Sequence, residues 1–463
     1  MTGSGSTPTP HVGADAPRLR GVLIAASLSM FCVQLDFFAL ALAVPRMAHD
    51  LQSTPTDLQW VLSGYMLALG SLLVLGGRLG DILGRRLVLV TGLGVFGMAA
   101  VLCAVATTAG MLIAFRILQG AGAALIFPMT VAVLTSTYPP ERRGRAIGLT
   151  YGLAAVGTAA GPFVGGLLTA GPGWRWIFWT LVPFVIAAAA VVLLSTPESR
   201  DETVARQVDV TGAVLLSGGL ALLTYAVDRA PTSGWTSPLV LVSAVVGLGF
   251  LAALPLVERR VRQPLIDVEL FRNAAFVLVT AAGTMANIAY AGTVFLATLY
   301  LQDVRGLSPL TAGLVFLALS AASGFAGPLA GRLGERHSAR VVMTLANAGG
   351  GIAVLALSFT RAWPAYVVAF FCCGLGLGLG WSFASIGTQR VVRHERTGQA
   401  AGVSQTAIIV IAGLALAAAA TALELLHEAG HSPGGAIAIV LRVYAAGLLT
   451  SALLLGAFGR RAR

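Results

Sequence analysis

Apolar residues in this chain occur in runs of about twenty, separated by short polar connections, from one end of the sequence to the other. About twenty residues, at 1.5 Å per residue, carry an α-helix across the ~30 Å hydrocarbon core of a membrane. Such runs are too long for β-strands and too numerous for one soluble core. The pattern predicts fourteen transmembrane spans, near 21–44, 58–76, 87–107, 110–134, 146–168, 176–195, 211–228, 238–257, 275–300, 310–330, 340–359, 363–388, 400–422 and 435–458.

Composition and charge support this interpretation. Hydrophobic residues make up 57% of the chain and charged residues 11%, against roughly 45–50% and 25% in soluble domains. All thirty basic residues are arginines, and twenty-three of them lie in the N-terminal tail, the even-numbered connections and the C-terminus. This distribution follows the positive-inside rule, so we expect both termini in the cytoplasm of a bacterial cell. The net charge of +11 therefore reflects topology rather than nucleic-acid binding. The remaining arginines are Arg46, Arg175, Arg229, Arg305 and Arg361 in odd-numbered connections, and Arg116 and Arg442 within spans.

An internal repeat divides the chain. The segment GRLGDILGRR begins at Gly77 and GRLGERHSAR begins at Gly331, which is 254 residues later. ERRGRA from Glu141 matches ERTGQA from Glu395 at the same offset. Two loops in one register predict two parallel six-helix units, the plan of a transporter with a central cavity. We therefore expect a disordered tail at 1–17, halves at 18–200 and 273–463, and an inserted helix pair at 201–272.

Several motifs resemble those of the major facilitator superfamily: GRLGDILGRR, RILQGAGAAL from Arg116 and GLAAVGTAAGPFVGG from Gly152. With LDFFALALAVP from Leu35, WRWIFW from Trp174 and the extra helix pair, the chain is similar to the fourteen-span drug:proton antiporters. The resemblance implies a major facilitator fold with two six-helix bundles and two inserted helices. It also implies proton-coupled export by alternating access.

Asp36 is the one carboxylate that the sequence places with assurance inside a span, in the middle of the first one. A charge there costs at least ~2.5–3.5 kcal/mol, so this acid should titrate rather than stay ionised. The alternative is a buried Asp that only bonds neighbouring helices. Phe38 and Ala39 stand where the resembled family has polar residues, so polar support for Asp36 must come from another helix.

Arg116 opens the fourth span and is never neutral at accessible pH. In the resembled family the matching arginine is associated with proton transfer, and Gln119, at i+3, is its expected helical neighbour. The alternative is an arginine that reaches out to the membrane interface. Asp36, Arg116 and Gln119 are the candidate proton and substrate site.

The repeated loop motif is a candidate conformational latch, as the resemblance implies. Its glycines would permit a tight turn and close helix approach, and its acid could pair with arginines across the two halves. The alternative is a topology signal made by the arginines alone. The candidate residues are Gly77, Arg78, Gly80, Asp81, Gly84, Arg85, Arg86, Gly331, Arg332, Gly334 and Glu335.

Glycines in the fifth span allow neighbouring helices to pack closely, and Pro162 allows a bend. This span resembles the antiporter signature, which favours export over import; ordinary small-residue packing is the alternative. The residues concerned are Gly157, Gly161, Pro162 and Gly165. Candidate wall residues of the central cavity are Asn287, Trp381, Phe383, Gln389 and Gln405.

Other chemistries are disfavoured. A chain without lysine has no P-loop lysine, so ATP-driven transport is not expected. The cysteines fall in apolar runs, no metal-ligand or catalytic motif stands in a suitable context, and we expect neither an enzyme nor a cofactor. We expect a monomer in the cell membrane that uses the proton gradient to export small neutral or monocationic amphipaths, with protons and membrane lipid as partners. A proton-coupled nutrient importer and a sensor without transport stay open as alternatives.

Overall fold

The computed structural model describes residues 16–40, 43–53, 58, 60–200, 209–259, 261, 268–392 and 397–458. Within these ranges the chain is helical and contains no β-strand. Fourteen of the described helices are long and apolar enough to cross a membrane, which confirms the expected all-α fold. In chain order they are α1 Ala16–Ala39, α2 Trp60–Leu83, α3 Arg85–Ala104, α4 Ala109–Thr137, α5 Pro140–Ala170, α6 Arg175–Ser195, α7 Val210–Ser233, α8 Pro238–Glu258, α9 Ala274–Leu299, α10 Pro309–Arg336, α11 Ala339–Phe359, α12 Trp363–Val391, α13 Thr397–Glu428 and α14 Pro433–Phe458.

Local signals set several helix ends. The Thr108 hydroxyl accepts a 3.2 Å hydrogen bond from the Met111 N–H at the start of α4. Asn273 caps α9 by accepting from the N–H groups of Ala275 and Phe276. Each cap satisfies amides that the first helical turn leaves without a partner. Gly84, with φ of 116°, separates α2 from α3 in a conformation that side chains rarely adopt.

Several helices are longer than hydropathy indicated, and two of these extensions concern the repeated motif. The spans expected at 58–76 and 310–330 are Trp60–Leu83 and Pro309–Arg336. Both extensions contain part of the repeated motif, and in the first copy the turn expected from its glycines falls at Gly84, between α2 and α3. The charged residues of the motif lower the mean hydropathy, but they do not interrupt the helix. Arginine and leucine both have a high helix propensity, and this does not depend on a membrane.

The first span is displaced from its expected position at 21–44. Its helix is Ala16–Ala39, followed by a bend at Leu40 and a short helix at Val44–Asp50 with a proline in its first turn. The apolar run continues through the bend, so hydropathy could not locate the helix end. Of the tail expected at 1–17, Ala16 and Pro17 are helical, and the rest lies outside the described residues.

The helices pack in an order that reflects the repeat. Contacts between the first and last six helices are most extensive where α5 meets α10 and α2 meets α13. Helices α7 and α8 pack on each other, and α7 also contacts α2 and α13. In the most apolar 18-residue stretch of α4, 78% of the chain is buried in the bundle, whereas in that of α8 only 22% is buried. Thus α4 is a central helix, and α8 lies at the periphery of the helix bundle.

Candidate functional site

A buried ion pair joins α1 to α4. Arg116 Nη1 donates a 2.6 Å hydrogen bond to Asp36 Oδ2, and both side chains are fully buried. The same nitrogen donates to Gln119 Oε1 at 2.7 Å, and Gln119 Nε2 donates to Asp36 Oδ1 at 3.3 Å. Three side chains thus form a closed ring of charge-assisted bonds. These bonds are stronger than bonds between neutral groups because at least one partner in each is ionised, and the low dielectric of the buried site strengthens them further.

The surrounding groups hold the guanidinium in place. Arg116 Nε donates to the Val61 carbonyl oxygen of α2 at 2.9 Å, and its Cζ lies 4.2 Å above the Tyr65 ring. The Tyr65 hydroxyl donates to the Val33 carbonyl oxygen of α1 at 3.5 Å. Arg116 Nη2 is buried without a hydrogen-bond partner. Because Arg116 is fully buried, the alternative of an arginine reaching out to the interface was wrong.

The ion pair lies toward the outer end of the bundle rather than at its centre. Asp36 is three residues before the end of α1, and Arg116 is seven residues after the start of α4. Seven residues correspond to about 10 Å along the helix. The mid-span position expected for Asp36 was therefore wrong, because α1 ends sooner than its apolar run.

The glycines of α5 form a surface against α1. A Cβ added to Gly157 would lie 2.9 Å from the Phe31 carbonyl oxygen, and one on Gly161 would lie 2.6 Å from Phe38 Cβ. A Cβ on Gly165 would collide with the Ala39 carbonyl oxygen. Spaced four residues apart, these glycines bring the α5 backbone against the part of α1 that carries Asp36. Pro162 lies inside the continuous α5 helix.

The opposite face of α5 meets the second half. A Cβ on Gly148 would collide with the Gly327 carbonyl oxygen of α10, and one on Gly313 would lie 2.9 Å from Phe163 Cα. One helix therefore touches both the helix of the buried acid and the other half of the protein.

An aromatic and amide cluster joins the halves. Gln405 Nε2 of α13 donates to the Tyr151 hydroxyl oxygen of α5 at 2.7 Å. The Tyr151 ring meets the Trp381 ring edge-on, with centroids 5.0 Å apart, and the Tyr290 ring stacks on Trp381 with centroids 6.2 Å apart. The Tyr290 hydroxyl donates to the Ala155 carbonyl oxygen of α5 at 3.4 Å. Two of the candidate wall residues, Trp381 and Gln405, thus belong to the contact between halves.

The other candidate wall residues are placed differently. Phe383 is fully buried near Gly334 of α10, so it packs within the second half. Asn287 Nδ2 donates to the Ile408 carbonyl oxygen of α13 at 3.3 Å. Neither Trp381 nor Phe383 faces open space in this conformation. Gln389 is within α12, but its side chain lies outside the described residues.

The first copy of the repeated motif surrounds the end of α2. Asp81 pairs with Arg85 at 3.2 Å, Arg86 Nη2 donates to the Leu193 carbonyl oxygen at 2.8 Å, and its N–H donates to Glu198. Gly77 lies beside Pro128, and a Cβ on Gly80 would collide with Met129. These contacts tie the motif to α3, α4 and the segment after α6.

The second copy lies where the halves meet. A Cβ on Gly331 would lie 2.6 Å from Arg145 Cα of α5. Gly334 lies beside the Arg390 guanidinium, and the nearby charge of Glu335 acts on the same arginine. The motif of α10 thus contacts α5 near its start and α12 near its end.

Sequence reasoning missed three tyrosines: Tyr65, Tyr151 and Tyr290. Tyr151 carried a usable signal, because it lies five positions after ERRGRA, as Gln405 lies five positions after the matched segment ERTGQA. Extending that match by five positions would have joined the two residues. No comparable signal marks Tyr65 or Tyr290.

Comparison with known proteins defines the class. The sequence profile of the Major Facilitator Superfamily matches residues 26–416. The chain therefore belongs to this superfamily of transporters, as its motifs led us to expect, and it is not an enzyme.

Two relatives and one solved structure extend the comparison. The chain is 31% identical to the tetracenomycin C resistance and export protein of Streptomyces glaucescens, over 87% of this chain and 74% of the relative. It is 34% identical to the methylenomycin A resistance protein of Bacillus subtilis, over 73% of this chain and 72% of the relative. The structure of the proton:xylose symporter XylE superposes with a TM-score of 0.68 at 13% identity, over 96% of each chain. The last likeness concerns the fold alone.

Proposed function

We propose that this chain is a proton-coupled antiporter of the bacterial cell membrane, which exports small amphipathic compounds by alternating access. The buried Asp36–Arg116–Gln119 ring carries the proposal. The names of both relatives describe antibiotic resistance, and one also describes export.

The ion pair links protonation of Asp36 to the conformation of the protein. While Asp36 is ionised, its charge balances Arg116 and the ring is closed. Protonation removes the carboxylate charge and leaves a buried cation, a state that costs about 3–5 kcal/mol in comparable buried pairs. The protein can recover that energy by moving to a conformation that hydrates Arg116. Proton uptake therefore drives a change of conformation.

The packing of α5 provides a route for that change. Its glycines contact α1 beside Asp36 on one face and α10 on the other. A shift of α1 thus bears directly on the surface where the halves meet. The Tyr151–Gln405 bond and the Gly331–Arg145 contact lie on that surface and must separate before a substrate can enter from the cytoplasm.

The substrate is a neutral or monocationic amphipath. Between the halves lie aromatic rings with few polar groups, as expected for a site that binds mainly by apolar contact. In the described spans of the second half, acids occur only near helix ends, at Asp303, Glu335, Glu424 and Glu428. A single titrating acid suits exchange of one proton for a monovalent or neutral compound.

The repeated motif is proposed to act as a latch. Asp81 and Arg85 hold the end of α2 to the start of α3, whereas Gly331 brings α10 against α5. Both copies lie at the cytoplasmic ends, where alternating access requires contacts that form in one state and break in the other. We propose that the protein works as a monomer with no cofactor, driven by the proton gradient.

Transport in inverted membrane vesicles tests the function. With an acidic lumen, an exporter accumulates a monocationic dye such as ethidium inside the vesicle, and an uncoupler abolishes this. We expect Asp36→Asn to abolish accumulation, Asp36→Glu to retain part of it, and Asp50→Asn, a control acid outside the spans, to retain all of it. Dye depletion under the same gradient would indicate an importer, and no flux with any of a panel of amphipaths would indicate a sensor.

A further inference from the structure

Three arginines on the side away from the cytoplasm lie around one cavity. Seven arginines lie away from the cytoplasmic side. Arg116 pairs with Asp36, and Arg46 pairs with Asp50 at 3.5 Å. Arg175 donates to the Ala106 carbonyl oxygen at 3.1 Å, and Arg229 lies 4.9 Å above the Trp60 ring. Arg305, Arg361 and Arg442 instead line a single cavity of about 830 Å³. Arginine is disfavoured on this side of a membrane protein, so three around one cavity call for a specific reason.

The cavity lies within the second half, away from the contact between halves. Its walls come from the outer ends of α9, α11 and α14 and the start of α12. The Arg442 guanidinium lies 4.3 Å above the Phe359 ring, and its Nε donates to the Ser358 hydroxyl at 3.4 Å. Arg305 lies 4.4 Å above the Trp363 ring and donates to the Arg361 carbonyl oxygen at 3.1 Å. Rings and backbone thus fix two guanidinium groups.

The charge of the cavity is not balanced from within. Asp303 is the one acidic residue among its lining residues. Among the described parts of the chain, no carboxylate lies within 4.0 Å of any of these three guanidinium groups. Fixed arginines with free N–H donors bind phosphate well, because the planar group presents several donors at once.

The rim of the cavity is apolar and faces outward. Phe359, which lines the cavity, is 64% exposed, and Val443, which follows Arg442 in α14 outside the lining, is 63% exposed. Such side chains in a membrane protein contact lipid acyl chains. A basic recess beside an apolar surface, at the outer end of the helices, suits a molecule with an anionic head and an apolar tail.

We propose that this cavity binds a phosphate group between Arg305, Arg361 and Arg442, and that an anionic phospholipid of the outer leaflet supplies it. The acyl chains lie against Phe359 and Val443. The bound lipid then fixes the outer ends of α9, α11 and α14 relative to one another while the halves move.

Native mass spectrometry of the full-length protein in detergent tests the site. Phosphatidylglycerol and phosphatidylcholine with the same acyl chains are titrated separately, and the fraction of protein carrying lipid is measured. We expect phosphatidylglycerol to bind more tightly. Each of Arg361→Gln and Arg442→Gln should weaken it roughly fivefold, because one basic residue contributes about 1 kcal/mol toward anionic lipid. Arg46→Gln, which removes the same charge from the same side, should leave binding unchanged.

Further measurements distinguish a phospholipid headgroup from free inorganic phosphate as the source of the phosphate group. Displacement of phosphatidylglycerol by millimolar inorganic phosphate would assign the site to the free ion and overturn the lipid. Equal affinity for both lipids, or the same loss with Arg46→Gln as with Arg442→Gln, would overturn the site itself. Because all three arginines are at the surface or in loops, thermal unfolding of the variants shows whether each still folds.

Discussion

Gln405 donates a 2.7 Å hydrogen bond to Tyr151, and the two residues are 254 positions apart, the offset of the internal repeat. They therefore occupy equivalent positions in the two halves, and they meet at the contact between the halves, as expected near the axis that relates two parallel repeats. Their neighbours repeat the relation: Gly148 packs against Gly327 of α10, and its equivalent Gly402 lies beside Val74 of α2. Duplication has given two different side chains at one position, a phenol and an amide that complement each other.

We expect Tyr151→Phe to destabilise the conformation described here. Removing the hydroxyl leaves Gln405 Nε2 buried without an acceptor, at a cost of about 1–3 kcal/mol. Gln405→Leu should cost a similar amount, whereas the double variant should cost less than the sum, since it removes both partners of this bond. Thermal unfolding of the four proteins in detergent gives the coupling energy. Strictly additive single and double variants would show that the bond contributes nothing.

The glycine surface of α5 gives a steric expectation. Gly161→Ala places a methyl group 2.6 Å from Phe38 Cβ, and Gly165→Ala brings one into the Ala39 carbonyl oxygen. Both changes should displace α1 near Asp36 and reduce transport more than tenfold, by about 1.4 kcal/mol or more. Gly94→Ala is the matched control, because a Cβ there meets nothing within 4 Å. Dye transport at matched expression measures the effect, and normal transport by Gly165→Ala would contradict it.

The ion pair gives an expectation about stability that is separate from transport. Arg116→Gln alone leaves Asp36 without its cation, and we expect a loss of about 3–5 kcal/mol. The double variant Asp36→Asn, Arg116→Gln removes both charges and should recover much of that loss while remaining unable to couple protons. Unfolding temperatures test the expected stability, and dye transport by the same preparations tests the expected loss of proton coupling. A double variant less stable than Arg116→Gln alone would contradict it.

Asp50 gives a pH dependence outside the membrane spans. Partial burial alone would raise the pKa of Asp50, but hydrogen bonds from His49 and Trp174 and the charge of Arg46 outweigh it, and the pKa falls below its ordinary value. A lowered folded-state pKa stabilises the protein above the ordinary pKa, and the effect is lost as pH falls through the folded-state pKa. The Trp174 Nε1 to Asp50 bond, 3.1 Å long, ties the short outer helix to the start of α6.

We therefore expect Asp50→Asn to lower the unfolding temperature at neutral pH and to differ little from the unchanged protein in strong acid. Unfolding curves at a series of pH values measure the difference between the two proteins. A difference that is constant across the acid range would show that Asp50 contributes no charge-dependent stability.

Much of the fold could be read from the sequence, because lipid imposes one simple rule on helix length and another on arginine placement. The buried acid and its arginine were also visible, since charged residues inside apolar runs are rare. Their contact was not, because Asp36 and Arg116 are 80 positions apart and no local pattern specifies which helices pack together. The end of α1 and the length of α2 were misjudged for a related reason: hydropathy measures solvent preference, whereas a bend at Leu40 and a positive φ at Gly84 end the helices.

The cavity of the second half shows the same limit. The sequence served only to assign a side of the membrane to Arg305, Arg361 and Arg442. Nothing in their spacing along the chain predicts that they lie close together. Only packing of α9, α11 and α14 places them around one space.

Proton release on substrate binding tests the central claim most directly. The purified protein is mixed with a transported amphipath in weakly buffered detergent solution containing a pH indicator, while binding is followed separately. If protonation of Asp36 and substrate binding compete, binding must release up to one proton per molecule, and the linkage is reciprocal. We expect release from the unchanged protein and none from Asp36→Asn, which still binds. Equal release from both proteins would contradict the account.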